Sequence, residues 1–157
     1  MVGLPDQFTA SYPEQSLRAS DAPTGLTLRL LSNSMADELR IGGDIFGSAL
    51  QPANGEYGVV ANVYADRARA LVIDREFEAT LGRVMAHELG HLLLGKNAHS
   101  AAGIMRAQWR AQDLVLAQAA MPFLPGEAKS IQKQVKARTI VDSSRLMPSP
   151  VYRPCLP

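Results

Sequence analysis

The chain has 157 residues, of which 46% are hydrophobic and 20% charged, and a formal net charge of +1. That is ordinary globular usage at the length of one compact domain, and it excludes a disordered, collagen-like or coiled-coil chain. The balanced charge argues against a nucleic-acid partner, which needs a broad basic surface. No apolar run approaches the roughly 20 residues that cross a bilayer, which argues against a membrane span. The single cysteine, Cys155, can form no intrachain disulfide. The opening MVGLPDQF lacks the basic and apolar regions of a secretory signal. A soluble single domain over 1–157 is expected.

Pro5, Pro13 and Pro23 at one end, and Pro148, Pro150, Pro154 and Pro157 at the other, mark 1–24 and 146–157 as irregular ends. Residues 26–32 (LTLRLLS) read as a strand with Leu26, Leu28 and Leu30 on one face. Residues 35–50 offer one or two short helical turns, which Gly42, Gly43 and Gly47 weaken. After the turn-like PANGEYG, residues 58–65 (GVVANVYA) are rich in β-branched and aromatic side chains and read as a second strand. A short helix is expected over 66–73.

Residues 76–94 carry the clearest helical pattern. Phe77, Leu81, Val84, Met85, Leu89 and Leu92 recur at three- and four-residue steps, the stripe of a helix packed on a core. Gly95 follows, where a helix end favours a residue able to take positive φ. Further helices are expected over 108–120 and 125–138. The second carries Glu127, Lys129, Lys133, Lys136 and Arg138, read as a solvated face. The expected class is α+β, a small mixed sheet with a long helix at about 76–94 and helices after it.

All three histidines, His87, His91 and His99, fall in the stretch HELGHLLLGKNAHSAAGIM. His87 and His91 are four residues apart, so on a helix their imidazoles leave one face a turn apart. Two nitrogen donors so placed can share one Zn²⁺ at about 2.0–2.1 Å each. Glu88 follows the first donor and sits where a carboxylate can exchange a proton with an activated water. This is the HExxH arrangement. From average residue usage, it should arise by chance in roughly one chain of this length in a few hundred. Here it lies on the most periodic helical segment. Four residues beyond Gly95 stands His99, and four extended residues reach up to about 13 Å. The chain can therefore return to complete three protein ligands, with a fourth position open for water, as in catalytic rather than structural zinc sites.

The order HELGH, glycine, histidine, serine, methionine resembles the metzincin clan of zinc metallopeptidases, most of all its matrixin branch. The resemblance covers residues 87–105, about an eighth of the chain. It implies a zincin-like fold, His87, His91 and His99 as ligands of one catalytic Zn²⁺, Glu88 as general acid/base, and Met105 in a Met-turn beneath the metal. The usual clan spacing is HExxHxxGxxH. In this chain seven residues separate the second and third histidines, and Asn97 occupies the usual third-ligand position. His99 is expected to take that role, from a longer helix and a wider loop. Still closer is the resemblance to bacterial proteins carrying HELGHLLLG…HS..GIM, extending to MRAQW…DL downstream and VYADRARAL upstream; they are themselves inferred to be peptidase-like.

Metzincins pair the substrate backbone with an edge strand just before the metal helix, and the segment from Gly58 to Tyr64 is in the expected place, a plain core strand being the equal alternative. The expected function is therefore a zinc metalloendopeptidase acting on peptide or protein substrates. The alternative is a non-catalytic zinc-binding module with a degenerate peptidase site. A helical interaction domain with a fortuitous HExxH, which would bind no metal, ranks third. An acidic third ligand, Asp113 or Glu127, ranks lower because neither sits in a supporting motif. Cys155, in Arg153-Pro154-Cys155, resembles a matrixin latency segment only loosely and is expected to be inert.

Overall fold

The computed structural model describes residues 2–3, 25–51, 57–95, 97–109 and 121–145. In chain order its elements are β1 (Val2–Gly3), β2 (Thr27–Leu31), α1 (Asn33–Glu38), β3 (Gly47–Leu50), β4 (Val60–Tyr64), α2 (Ala65–Ala70), α3 (Asp74–Leu94), β5 (Gln108–Trp109) and α4 (Pro125–Arg145). The class is α+β, with a small three-stranded mixed sheet.

Strand β4 runs through the middle of that sheet, parallel to β2 and antiparallel to β3. Its sequence VANVY is buried almost throughout, as a central strand covered on both faces should be. The register divides its side chains. Ala61 and Val63 share a face with Ala49, Gly47 and Leu28, and α3 lies across it. Tyr64, on the other face, packs with Leu31, Ala36 and Ile45 beneath α1. Of the two readings of the segment from Gly58 to Tyr64, substrate-pairing edge strand or plain core strand, the sheet order overturns the first: β4 is the centre of the sheet. β3 is the outer strand on the side of α3.

Leu28 and Leu30 share one face of β2, as expected, paired with Ala61 and Val63. Leu28 packs into the core over α3, Leu30 is 55% exposed, and Leu31 is buried on the opposite face. Leu30 stays exposed because α3 lies over β3 and β4 and does not cover the whole length of β2. The expected helical turns at 35–50 are α1, one strand and the loop between them. Ser32 caps α1 through the Met35 amide, and Asp66 accepts from the Asn33 amide at 3.0 Å. The loop into β3 is held by buried Arg67, which donates to the carbonyls of Gly42, Ile41 at 3.2 Å and Ile45 at 3.0 Å.

Helix α3 begins two residues before the expected start, with Asp74 and Glu76 in its first turn, where the helix dipole favours acids. Its most deeply buried face is not the leucine stripe alone. Thr80, Val84, His87, Glu88, His91 and Leu92 are all buried, because the sheet covers one side and the loop after Gly95 the other. Helix α4 packs on α3, and Lys129, Lys133 and Lys136 are exposed, as expected of a solvated face, while Arg138 departs from it. Arg138 turns inward and donates to the Gly58 carbonyl at 3.0 Å and the Leu92 carbonyl at 3.5 Å. Residues Gln108 and Trp109, expected to be helical, pair as β5 with β1; the rest of that expected helix lies outside the described residues. So do residues 4–24 and 146–157, with Cys155, and Asp113. Among the described residues no helix is long and apolar enough to cross a membrane.

Candidate metal centre

On α3 the four-residue step brings His87 and His91 to one buried face, their ring centroids 4.7 Å apart. The chain then reverses. Gly95 has φ +83°, and Asn97 φ +59°. Both lie in the left-handed region, which glycine enters freely and asparagine more readily than most residues. At the usual third-ligand position, Asn97 thus serves as a turn residue. The segment beyond is tied to itself and to the chain before α4. The Ser100 amide donates to the Met105 carbonyl at 2.9 Å, and the Ile104 amide to the Pro122 carbonyl at 3.1 Å. The Ser100 hydroxyl donates to the Ala102 carbonyl at 2.7 Å.

This loop returns His99 to the other two rings. Its centroid lies 4.7 Å from that of His91 and 5.4 Å from that of His87. One donor atom from each of the three histidines lies within 4.8 Å of the others. A tetrahedral ion with bonds of about 2.0–2.1 Å sets its donors about 3.3 Å apart. The Nε2 atoms of His87 and His91 are 3.0 Å apart, close to that requirement.

The loop also fixes a tautomer. Nδ1 of His87 lies 2.7 Å from the Ile104 carbonyl, which only accepts, so Nδ1 carries the proton and Nε2 presents its lone pair to the centre. Burial, helped by the nearby His99, lowers the His87 pKa to about 4, although the Ile104 carbonyl opposes the shift. Burial and both neighbouring imidazoles lower His91 to about 3. At neutral pH these two rings are uncharged, the form that binds metal. Three imidazole donors suit a borderline transition ion, and by this chemistry the residues present fit a metal ion.

Glu88 lies against β3 at Gly47. It is 3% exposed, and burial raises its pKa to about 8. A Cβ placed on Gly47 would stand 2.5 Å from its Cγ, so the carboxylate arm lies flat against the strand backbone. Met105 is fully buried and packs against α3 at Gly90, between the two helical histidines. Trp109 meets the His87 ring edge to face at 5.6 Å. At the far end of β3, the Gln51 side-chain amide donates to the His91 carbonyl at 2.7 Å. Glu127 is occupied elsewhere, accepting from the Leu124 amide at 2.7 Å at the start of α4.

The sequence reading named His87, Glu88, His91, His99 and Met105. It missed Gly47, Gln51, the Ile104 carbonyl and Trp109. Gly47 carried a signal, a glycine just ahead of small, strand-compatible residues. Nothing local marks the other three. Comparison of the chain with protein-family models, with curated proteins and with solved structures found no match.

Proposed function

We propose that the protein is a zinc-dependent metalloendopeptidase of zincin-like fold, with His87, His91 and His99 as metal ligands and Glu88 as general acid/base. The observation that carries this reading is the convergence of the three imidazoles on one point from a single helix and the loop after it. Bound there, Zn²⁺ would supply Lewis acidity, polarising the scissile carbonyl and lowering the pKa of an attacking water toward about 7. His87 and His91 hold their lone pairs inward without losing charge, since both are neutral at working pH. Glu88 takes the proton of the attacking water and delivers it to the leaving amine nitrogen. A carboxyl raised to about 8 by burial is suited to both tasks near neutrality. The substrate backbone adds beside β3, the outer strand, whose Gly47 already touches the base.

Metal analysis and peptide cleavage test this. The purified protein should hold close to one zinc and cleave a generic protein substrate in a chelator-sensitive way. Glu88→Ala should retain the metal and lose turnover. Cleavage by Glu88→Ala at the parent rate would refute the mechanism.

The 3% exposure of Glu88 favours a second reading, a zinc-binding module without catalysis, because a base must reach its substrate. Zinc bound at unit stoichiometry with no cleavage of any substrate would select it.

A further inference from the structure

Gly47 lies in strand β3, where glycine is disfavoured because it costs backbone entropy and packs nothing. Its φ is not in the left-handed region, so no turn requires a glycine there. What requires it is Glu88. A Cβ at this position would lie 2.5 Å from Glu88 Cγ, 2.6 Å from Cδ and closer still to Oε1. All three atoms belong to the one side chain. The missing methyl is a slot in the sheet, and the carboxylate arm fills it.

We infer that Gly47 is the positioning residue of the base: its bare backbone seats the Glu88 side chain against β3 and fixes where the carboxylate can stand. This rests on the peptidase reading above. The slot limits the rotamers open to a long side chain whose freedom would otherwise disperse the proton-transfer geometry. It also joins two functions in one strand, since β3 is the outer strand offered to substrate. Neighbouring Ala49 on the same face carries its own Cβ, so the slot is confined to position 47.

The test is a double-mutant cycle on the full chain: parent, Gly47→Ala, Glu88→Ala and the double variant, each assayed for turnover, zinc content and melting of the metal-free protein. In the parent background, Gly47→Ala should keep zinc and lower kcat by about 100-fold with KM within about twofold, as expected for a misplaced base. It should also lower the melting temperature by about 4 °C or more. In the Glu88→Ala background the same substitution has nothing to strike, and should cost less than about 2 °C and no further turnover. Equal melting losses in the two backgrounds overturn the inference, as does an unchanged kcat for Gly47→Ala in an active parent. Should Gly47→Ala fail to fold alone, it must fold with Glu88→Ala; failure in both backgrounds overturns it too. A parent without turnover refutes the peptidase reading itself, and with it any catalytic purpose of the slot.

Discussion

The side-chain amide of Gln51 reaches across from the end of β3 to the carbonyl of His91, 2.7 Å away in the last turn of α3. That carbonyl also accepts from the Gly95 amide at 3.1 Å, so one oxygen joins the sheet, α3 and the start of the His99 loop. Gln51→Leu should remove a buried hydrogen bond at a cost of about 1–2 kcal/mol. By loosening the backbone of one ligand, it should weaken zinc binding about 10-fold or more. Urea melts and competitive zinc titration measure the two effects. Unchanged affinity would mean that His91 is held by α3 alone.

The metal-free protein carries a buried acid, and its stability should follow pH accordingly. Glu88 is raised to about 8 when folded, against about 4.3 in an unfolded chain. Between these values the folded state keeps a proton that the unfolded state has lost, so rising pH destabilises the fold by up to about 1.4 kcal/mol per unit. Glu88→Gln abolishes that dependence. The metal-free variant should therefore melt above the parent at pH 8, with the gap closing toward pH 5. The lowered His87 and His91 act oppositely, costing stability as pH falls below about 6.5, but they do so in both proteins and cancel from the difference. A gap independent of pH would show that Glu88 is not protonated in the metal-free fold.

Two glycines of α3 should respond oppositely to alanine. Around Gly82 an added Cβ meets nothing within 4 Å, so Gly82→Ala should stabilise by about 0.5–1 kcal/mol through helix propensity. At Gly90 the same methyl would strike the Met105 sulfur and lie 3.0 Å from Phe123. Gly90→Ala should destabilise by about 1–3 kcal/mol and displace the Met105 side chain from the helix. Thermal melts of the two variants compare them directly. Stabilisation by both would remove the close approach of Met105 to the helix.

Trp109 is the only tryptophan of the chain, and it stands 5.6 Å from the ring of His87. Its fluorescence should report occupancy. Cu²⁺ should quench it in a titration that saturates at one equivalent and is reversed by a chelator. His99→Ala should weaken that binding by about 10–100-fold or more, since even partners outside the ligand shell are worth that much. An unaltered midpoint would remove His99 from the ligand set.

The long helix and its two histidines were legible in the sequence, because helical periodicity and the direction of side chains at i and i+4 are local properties. Gly95 marked the helix end for a related reason: only its own backbone dihedral has to be satisfied. The strand at 60–64 was legible too, from its β-branched and aromatic content. Its place in the sheet was not. A strand buried on both faces by neighbours far along the chain and a strand at the sheet edge can share one composition, and pairing register alone distinguishes them.

What the sequence by itself determined was therefore the cluster of three histidines and a glutamate in one short stretch, two of the rings fixed at one helical turn. The tertiary structure decided the rest. It converted Asn97 from a candidate ligand position into a left-handed turn and brought His99 back to the other rings. It made β4 the central strand with β3 outside it, turned Arg138 inward and laid Glu88 in the gap at Gly47. Each of these depends on contacts between segments distant in sequence, and periodicity, which records only neighbours, carries no information about them.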